Sequence, residues 1–100
     1  MTPDPGRVVV KTMSITRADF ARSLTRLDGD AVLDAGGRAQ VRAAGVHARI
    51  QFDALPARKL GGLLAMPQAR VTIALPDEAS LAARVGFLAR FDMAFQRGGG

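Results

Sequence analysis

One hundred residues make a single small domain, at roughly 100–200 residues per domain, and a mixture of 48% hydrophobic and 23% charged residues is that of a chain that folds. The absence of cysteine excludes disulfides, thiolate metal sites and a cysteine nucleophile, and a single histidine excludes a histidine-rich metal cage. Fourteen Lys and Arg against nine Asp and Glu give a net charge of +5, a composition that suits an anionic partner.

Residues 1–12 read as an N-terminal extension. Pro3, Pro5 and Gly6 break regular structure at its start, and three consecutive valines then favour a short strand over residues 7–11. No basic stretch followed by an apolar run appears there, and no apolar run anywhere reaches the ~18–20 residues that span a bilayer. The expectation is a cytoplasmic protein with no membrane partner.

A helix is predicted over residues 16–27. Thr16 is a good N-cap, and Asp19 stands where a capping box places its acid. Ile15 and Phe20 occupy the positions of a hydrophobic staple. Phe20, Leu24 and Leu27 follow at helical spacing and make one apolar stripe. A short strand at 31–34 and a turn at Gly36-Gly37 come next. Residues 38–43 alternate, with Ala39, Val41 and Ala43 on one side and Arg38, Gln40 and Arg42 on the other. Gly45 permits the next turn. Residues 46–54 alternate again, with Val46, Ala48, Ile50 and Phe52 inward. Pro56 is expected to end that strand or place it at an edge. Residues 57–68 fit either a bulged hairpin arm or a loop that Pro67 terminates. Residues 69–75 form a strand with Val71, Ile73 and Leu75 inward.

The last helix is predicted to begin at Pro76, with Asp77 and Glu78 at the positive end of its dipole. Its stripe reads Leu81, Val85, Leu88, Phe91 and Phe95, broadened by Phe87 and Ala94, and Gly98 stops it. Strands with one polar face imply a sheet covered on one side only. The expected fold is therefore α+β: a two-layer sandwich in the order helix, antiparallel β-meander of three to five strands, helix, with both helices on one sheet face. A single domain would span residues 13–97, with a flexible glycine tail at 98–100.

The charge is local. Residues 38–75 hold six basic residues and one acid, and the remaining positions hold eight of each. Arg38, Arg42, His47, Arg49 and Arg70 are expected on the face opposite the helices, with Arg58 and Lys59 on an adjoining loop. That surface fits an acidic protein or a nucleic acid, and an uncovered face or edge also suits a homodimer. It carries no aromatic for base stacking. A solvated sheet face, polar by necessity, explains the same pattern.

No catalytic set emerges. His47 has only Asp53 on its own strand face, about 20 Å away at ~3.3 Å per residue. Asp28, Asp30 and Asp34 crowd one turn without the closing glutamate of a calcium loop. Gly61-Gly62 after Arg58-Lys59 lacks Walker spacing. No cofactor and no metal are expected. The terminal Gly98-Gly99-Gly100 resembles the Gly-Gly ending of small sulfur-carrier and ubiquitin-like proteins in that ending alone, since their tail follows a strand and here it follows a helix.

Ser14-Ile15-Thr16-Arg17, Leu55-Pro56 with Arg58-Lys59, and Phe91-Asp92 with Phe95-Gln96-Arg97 before the glycines resemble a small proteobacterial family of uncharacterised proteins, over about residues 13–100. The resemblance implies no activity and no site residue. The order of elements is also similar to frataxin-like sandwiches, but their acidic iron ridge is replaced here by an arginine-rich first helix. The leading expectation is a non-enzymatic interaction module that meets an acidic partner, alone or as a homodimer. A nucleic-acid-binding protein is the alternative, and a small carrier using its glycine tail stands behind both.

Overall fold

Alternation and helical period divide the chain into six elements: β1 (Val8–Met13), α1 (Arg17–Leu27), β2 (Arg38–Ala43), β3 (Val46–Lys59), β4 (Ala65–Ala74) and α2 (Leu81–Phe95). They are seen in a computed structural model that describes residues 4–96. The strands make one antiparallel sheet in the order β1-β4-β3-β2. The meander β2-β3-β4 follows the chain, and the N-terminal valines return to lie beside β4.

Period two sorts the strand residues. Ala39, Val41, Ala43, Val46, Ala48, Ile50, Phe52, Ala69, Val71 and Ile73 are buried and share one face. Phe20, Leu24 and Leu27 of α1 and Phe87, Phe91 and Phe95 of α2 pack into the same core. Both helices therefore cover one face of the sheet and leave the other bare. No described helix is long and apolar enough to cross a membrane.

Local chemistry sets the boundaries. Thr16 Oγ1 accepts the Asp19 N–H at 3.1 Å, and Ser80 Oγ accepts that of Ala83 at 3.1 Å. The hairpin β2-β3 turns on Ala44 and Gly45, with φ of 50° and 74°, the left-handed pair of a type I′ turn. Gly37 is required by space as well as by its φ of 80°: a Cβ there would stand 2.3 Å from the Phe52 carbonyl oxygen.

Four expectations are corrected. Residues 31–34 form no strand. Asp28 and Asp34 instead turn their carboxylates onto the β2 edge and replace ladder pairing with side-chain bonds. Pro56 does not end its strand. The ladder slips between Leu55 and Arg58 and then resumes, and Pro56 and Pro67 both lie in that slip, where their missing N–H groups break no regular pairing. Helix α2 begins at Leu81, so Asp77 and Glu78 lie in a turn before it. Its buried stripe is Arg84, Phe87, Phe91 and Phe95, whereas Leu81 is exposed and Val85 and Leu88 are half-buried.

Arg84 is the unexpected member of that stripe, at 4% exposure. Its Nη1 donates to the Ala79 carbonyl at 2.7 Å, and its Nη2 donates to both Asp4 carboxylate oxygens at 2.9 and 3.0 Å. Nε is buried without a partner among the described residues. Arg84 thus straps the chain before β1 to α2. Arg84→Ala is expected to cost about 2–4 kcal/mol, through lost stem packing and lost bonds. Arg84→Met should cost less, because it keeps the packing of the stem and the Asp4 carboxylate it leaves behind is 58% exposed and stays in water. Urea denaturation of the two variants checks the order, and equal losses would contradict it.

Candidate functional site

The bare face is built from the alternate residues of the four strands. Strand β2 presents Arg38, Gln40 and Arg42; β3 presents His47, Arg49, Gln51 and Asp53; β4 presents Arg70, Thr72 and Ala74; β1 presents Val8, Val10 and Thr12. Register sets Arg42 opposite His47, Arg49 opposite Gln40, Arg38 opposite Gln51, and Asp53 opposite Arg70. Opposed Cβ atoms stand about 4.5–5.5 Å apart. Same-face neighbours along a strand are about 6.6 Å apart, two rises of ~3.3 Å. Arg38, Arg42, His47 and Arg49 therefore form one tight group on β2 and β3, with Arg70 a strand further on.

All five of these residues are exposed. The ion pairs among the described residues are Lys11–Asp92, Arg22–Asp19 and Arg84–Asp4, so no guanidinium of the bare face is ion-paired among them. Asp53 is the one acid within the strand rows, and Gln51 Nε2 donates to its Oδ1 at 3.3 Å. His47 Nε2 donates to Gln40 Oε1 at 3.0 Å, which ties the imidazole to its cross-strand neighbour. Every phenylalanine is buried, so the face offers no ring for a base to stack on.

Arg58 and Lys59 are corrected in position. They belong to the far end of β3, beyond the two prolines, and not to a loop. Arg58 lies nine positions from Arg49, roughly 30 Å at ~3.3 Å per residue. The structure does not bring this pair into the arginine group. It places them on an arm that ends in exposed Leu60, Leu63 and Leu64.

Two shallow recesses flank Arg49. One, of about 700 Å³, runs from Arg38 and Thr72 to Asp30, Val32 and Asp34. The other, of about 670 Å³, runs from His47 to Pro76, Glu78 and Ser80. Arg49 and Gln40 line both and form the ridge between them. The acids at the outer rims leave the ridge as the place where an anion is best received. These rims come from loops, which have no periodicity to mark them, so sequence reasoning missed them.

The turn acids have structural work. Asp28 Oδ2 accepts the Arg42 N–H at 2.9 Å and Oδ1 accepts that of Asp30 at 3.0 Å, and Asp34 Oδ1 accepts the Arg38 N–H at 2.9 Å. The Arg42 and Asp30 amides, with the charges of Arg42 and His47 nearby, hold the Asp28 carboxyl below its ordinary value of 3.8. Asp4 is held low in the same way by the Gly6 amide and Arg84. A depressed carboxyl contributes stability that is fully present above the unfolded value. It is lost as pH falls below about 3.8 toward the folded value. Stability is thus expected to decline on acidification through that window, with a shallower slope in Asp28→Asn. Urea denaturation at stepped pH measures it, and an unchanged slope in the variant would contradict the assignment.

Among the described residues, no three His, Asp or Glu side chains gather closely enough to hold a metal ion. Ser14 Oγ accepts from Gln68 at 2.7 Å and Ser80 Oγ caps α2, so neither hydroxyl is placed against a base. The guanidinium forks of the face can donate paired hydrogen bonds to the oxygens of a carboxylate or phosphate in a fixed plane. The glycine tail at 98–100, proposed for a carrier role, lies outside the described residues. Compared with protein-family models, curated proteins and solved structures, the chain finds no match.

Proposed function

We propose that this protein is a non-enzymatic interaction module that docks an acidic protein surface onto the bare face of its sheet. The observation that carries this reading is the group Arg38, Arg42, Arg49 and Arg70, exposed on one helix-free face with no ion pair among the described residues. Solvation alone asks a sheet face for polar residues; it does not ask for Arg38, Arg42 and Arg49 at diagonal positions of β2 and β3 with no carboxylate opposite any of them. A partner carboxylate would relieve the repulsion among them. Buried rings argue against single-stranded nucleic acid, whose binders stack bases on exposed aromatics. A cytoplasmic setting, the absence of a cofactor and the small proteobacterial family that residues 13–100 resemble belong to the same proposal.

The test is fluorescence anisotropy with a labelled polyglutamate peptide. Binding should be measurable at about 50 mM salt and fall steeply by about 200 mM, as screening shortens the reach of surface charges. Single- and double-stranded oligonucleotides are run beside it. Tighter binding of duplex than of peptide at equal salt would replace the acidic protein with a phosphate backbone.

A further inference from the structure

We propose that β1 is the seam of a symmetric dimer, in which it pairs antiparallel with β1 of a second copy to make one continuous sheet. The two edges of the sheet are treated differently. At the β2 edge, the outward N–H groups of Arg38 and Arg42 are taken by the Asp34 and Asp28 carboxylates, and the Arg38 carbonyl accepts the Asp34 N–H at 2.9 Å. Three of the six outward backbone groups of Arg38, Gln40 and Arg42 are thus taken by the loop beside that edge. At the β1 edge nothing comparable occurs among the described residues.

The orientation of the β1 backbone follows from one bond. Leu75 donates to the Arg7 carbonyl at 2.7 Å, and the register then makes Val9, Lys11 and Met13 the residues that bond β4. Val8, Val10 and Thr12 turn their N–H and C=O groups outward. Their side chains stand on the bare face, where Val8 is 62% and Val10 56% exposed. Natural edges are blunted with proline, a bulge, cover, short length or a charge, lysine above all. Among the described residues β1 carries no proline, no bulge and no covering segment, and its register with β4 runs unbroken. Its one charge, Lys11, points to the helix side, where it lies 3.2 Å from Asp92, so no charge stands on the bare-face side of the edge.

Only an extended strand matches that spacing of donors and acceptors, and the edge is complementary to itself. A two-fold axis through Val10 sets Val10 against Val10, and Val8 against Thr12, of the second copy. That register closes three bonded pairs, about six N–H···O bonds. On the bare face the new seam is valine and threonine throughout. On the helix side each Lys11 arrives with its own Asp92 carboxylate, so the two copies meet with charges compensated. Elsewhere a chain of charge +5 repels its copy. The axis stands normal to the sheet, so both bare faces look the same way. The two Arg49 rows would lie about 24 Å apart, five strand spacings of ~4.8 Å. The pairing stands whatever the arginines bind.

A seam of this length is smaller than a standard interface, so a dissociation constant of about 1–100 μM is expected. Sedimentation equilibrium measures it on the full chain, with far-UV circular dichroism as the check of folding. Val10→Pro removes the central outward donor at an edge position that tolerates proline and should weaken the dimer at least about tenfold. Val10→Lys sets like charges against each other on the axis and should leave monomers. An equimolar mixture of Val10→Lys and Val10→Glu should recover a heterodimer. A wild-type chain that stays monomeric to about 1 mM would overturn the proposal. So would a dimer whose affinity neither Val10 substitution moves.

Discussion

Phe20→Ala is expected to cost about 3–5 kcal/mol of folding stability, the largest loss that a single truncation in this chain should produce. Phe20 is fully buried on α1. Its ring centroid lies 4.8 Å from that of Phe52 on β3 and 5.1 Å from that of Phe95 on α2, and Phe95 stacks on Phe91 at 4.3 Å. One side chain therefore joins both helices to the sheet. Truncation removes the transfer free energy of the ring and leaves a void that three separate elements would have to move to fill. The lost ring-to-ring contacts add about 0.5–1.5 kcal/mol each beyond area. A domain of this size holds only about 5–15 kcal/mol in total. Tm should fall by at least about 12 °C, and Phe20→Leu, which keeps most of the volume, should cost clearly less. A loss below about 1 kcal/mol for Phe20→Ala would mean that the ring is not the junction described here.

Arg42→Glu combined with Arg49→Glu should weaken binding of an acidic probe at least about 100-fold at low salt, since two charge-assisted contacts at ~1.5–3 kcal/mol each are replaced by repulsion. Each reversal changes the charge by two, so the chain falls from +5 to +1. That change alone would slow association without any specific face. The control is Arg58→Glu with Lys59→Glu, which alters net charge identically from the arm roughly 30 Å along β3. The face account predicts a large loss for the first pair and a small one for the second. All four side chains are exposed, so folding should change little in either variant. Equal losses would reduce the effect to net charge.

Much of the sheet was legible because period two is unambiguous where one face is buried. The alternation of Arg38, Gln40 and Arg42 against Ala39, Val41 and Ala43 marks both the limits of β2 and its bare face. Thr16 and the stripe Phe20, Leu24, Leu27 mark α1 equally well. The failures have physical causes. Residues 31–34 carry an apolar pair that suggests a strand, but the flanking aspartates compete for the same edge with their side chains. Pro56 reads as a stop only if the ladder is regular, and a bulge shared with Pro67 removes the conflict. Arg84 sits within an apolar stripe, and its partner Asp4 is 80 positions away, so no local pattern could show that it is buried. The basic residues of the face were visible as residues. That Arg49 stands on a ridge between two recesses was not, because the far walls come from loops distant in sequence.

The charge excess of residues 38–75 resolves into two separate places, the bare face, with its tight group on β2 and β3 and Arg70 beyond it on β4, and a pair on the arm. The partner is received at the first of these in the function proposed above. Titration of the ¹⁵N-labelled protein with unlabelled polyglutamate, followed amide by amide, locates the contact. The largest shifts should fall on Arg38, Arg42, His47, Arg49 and Arg70 and vanish as salt is raised. Shifts centred on Arg58, Lys59 and the leucines of the arm, with the bare face unmoved, would contradict it.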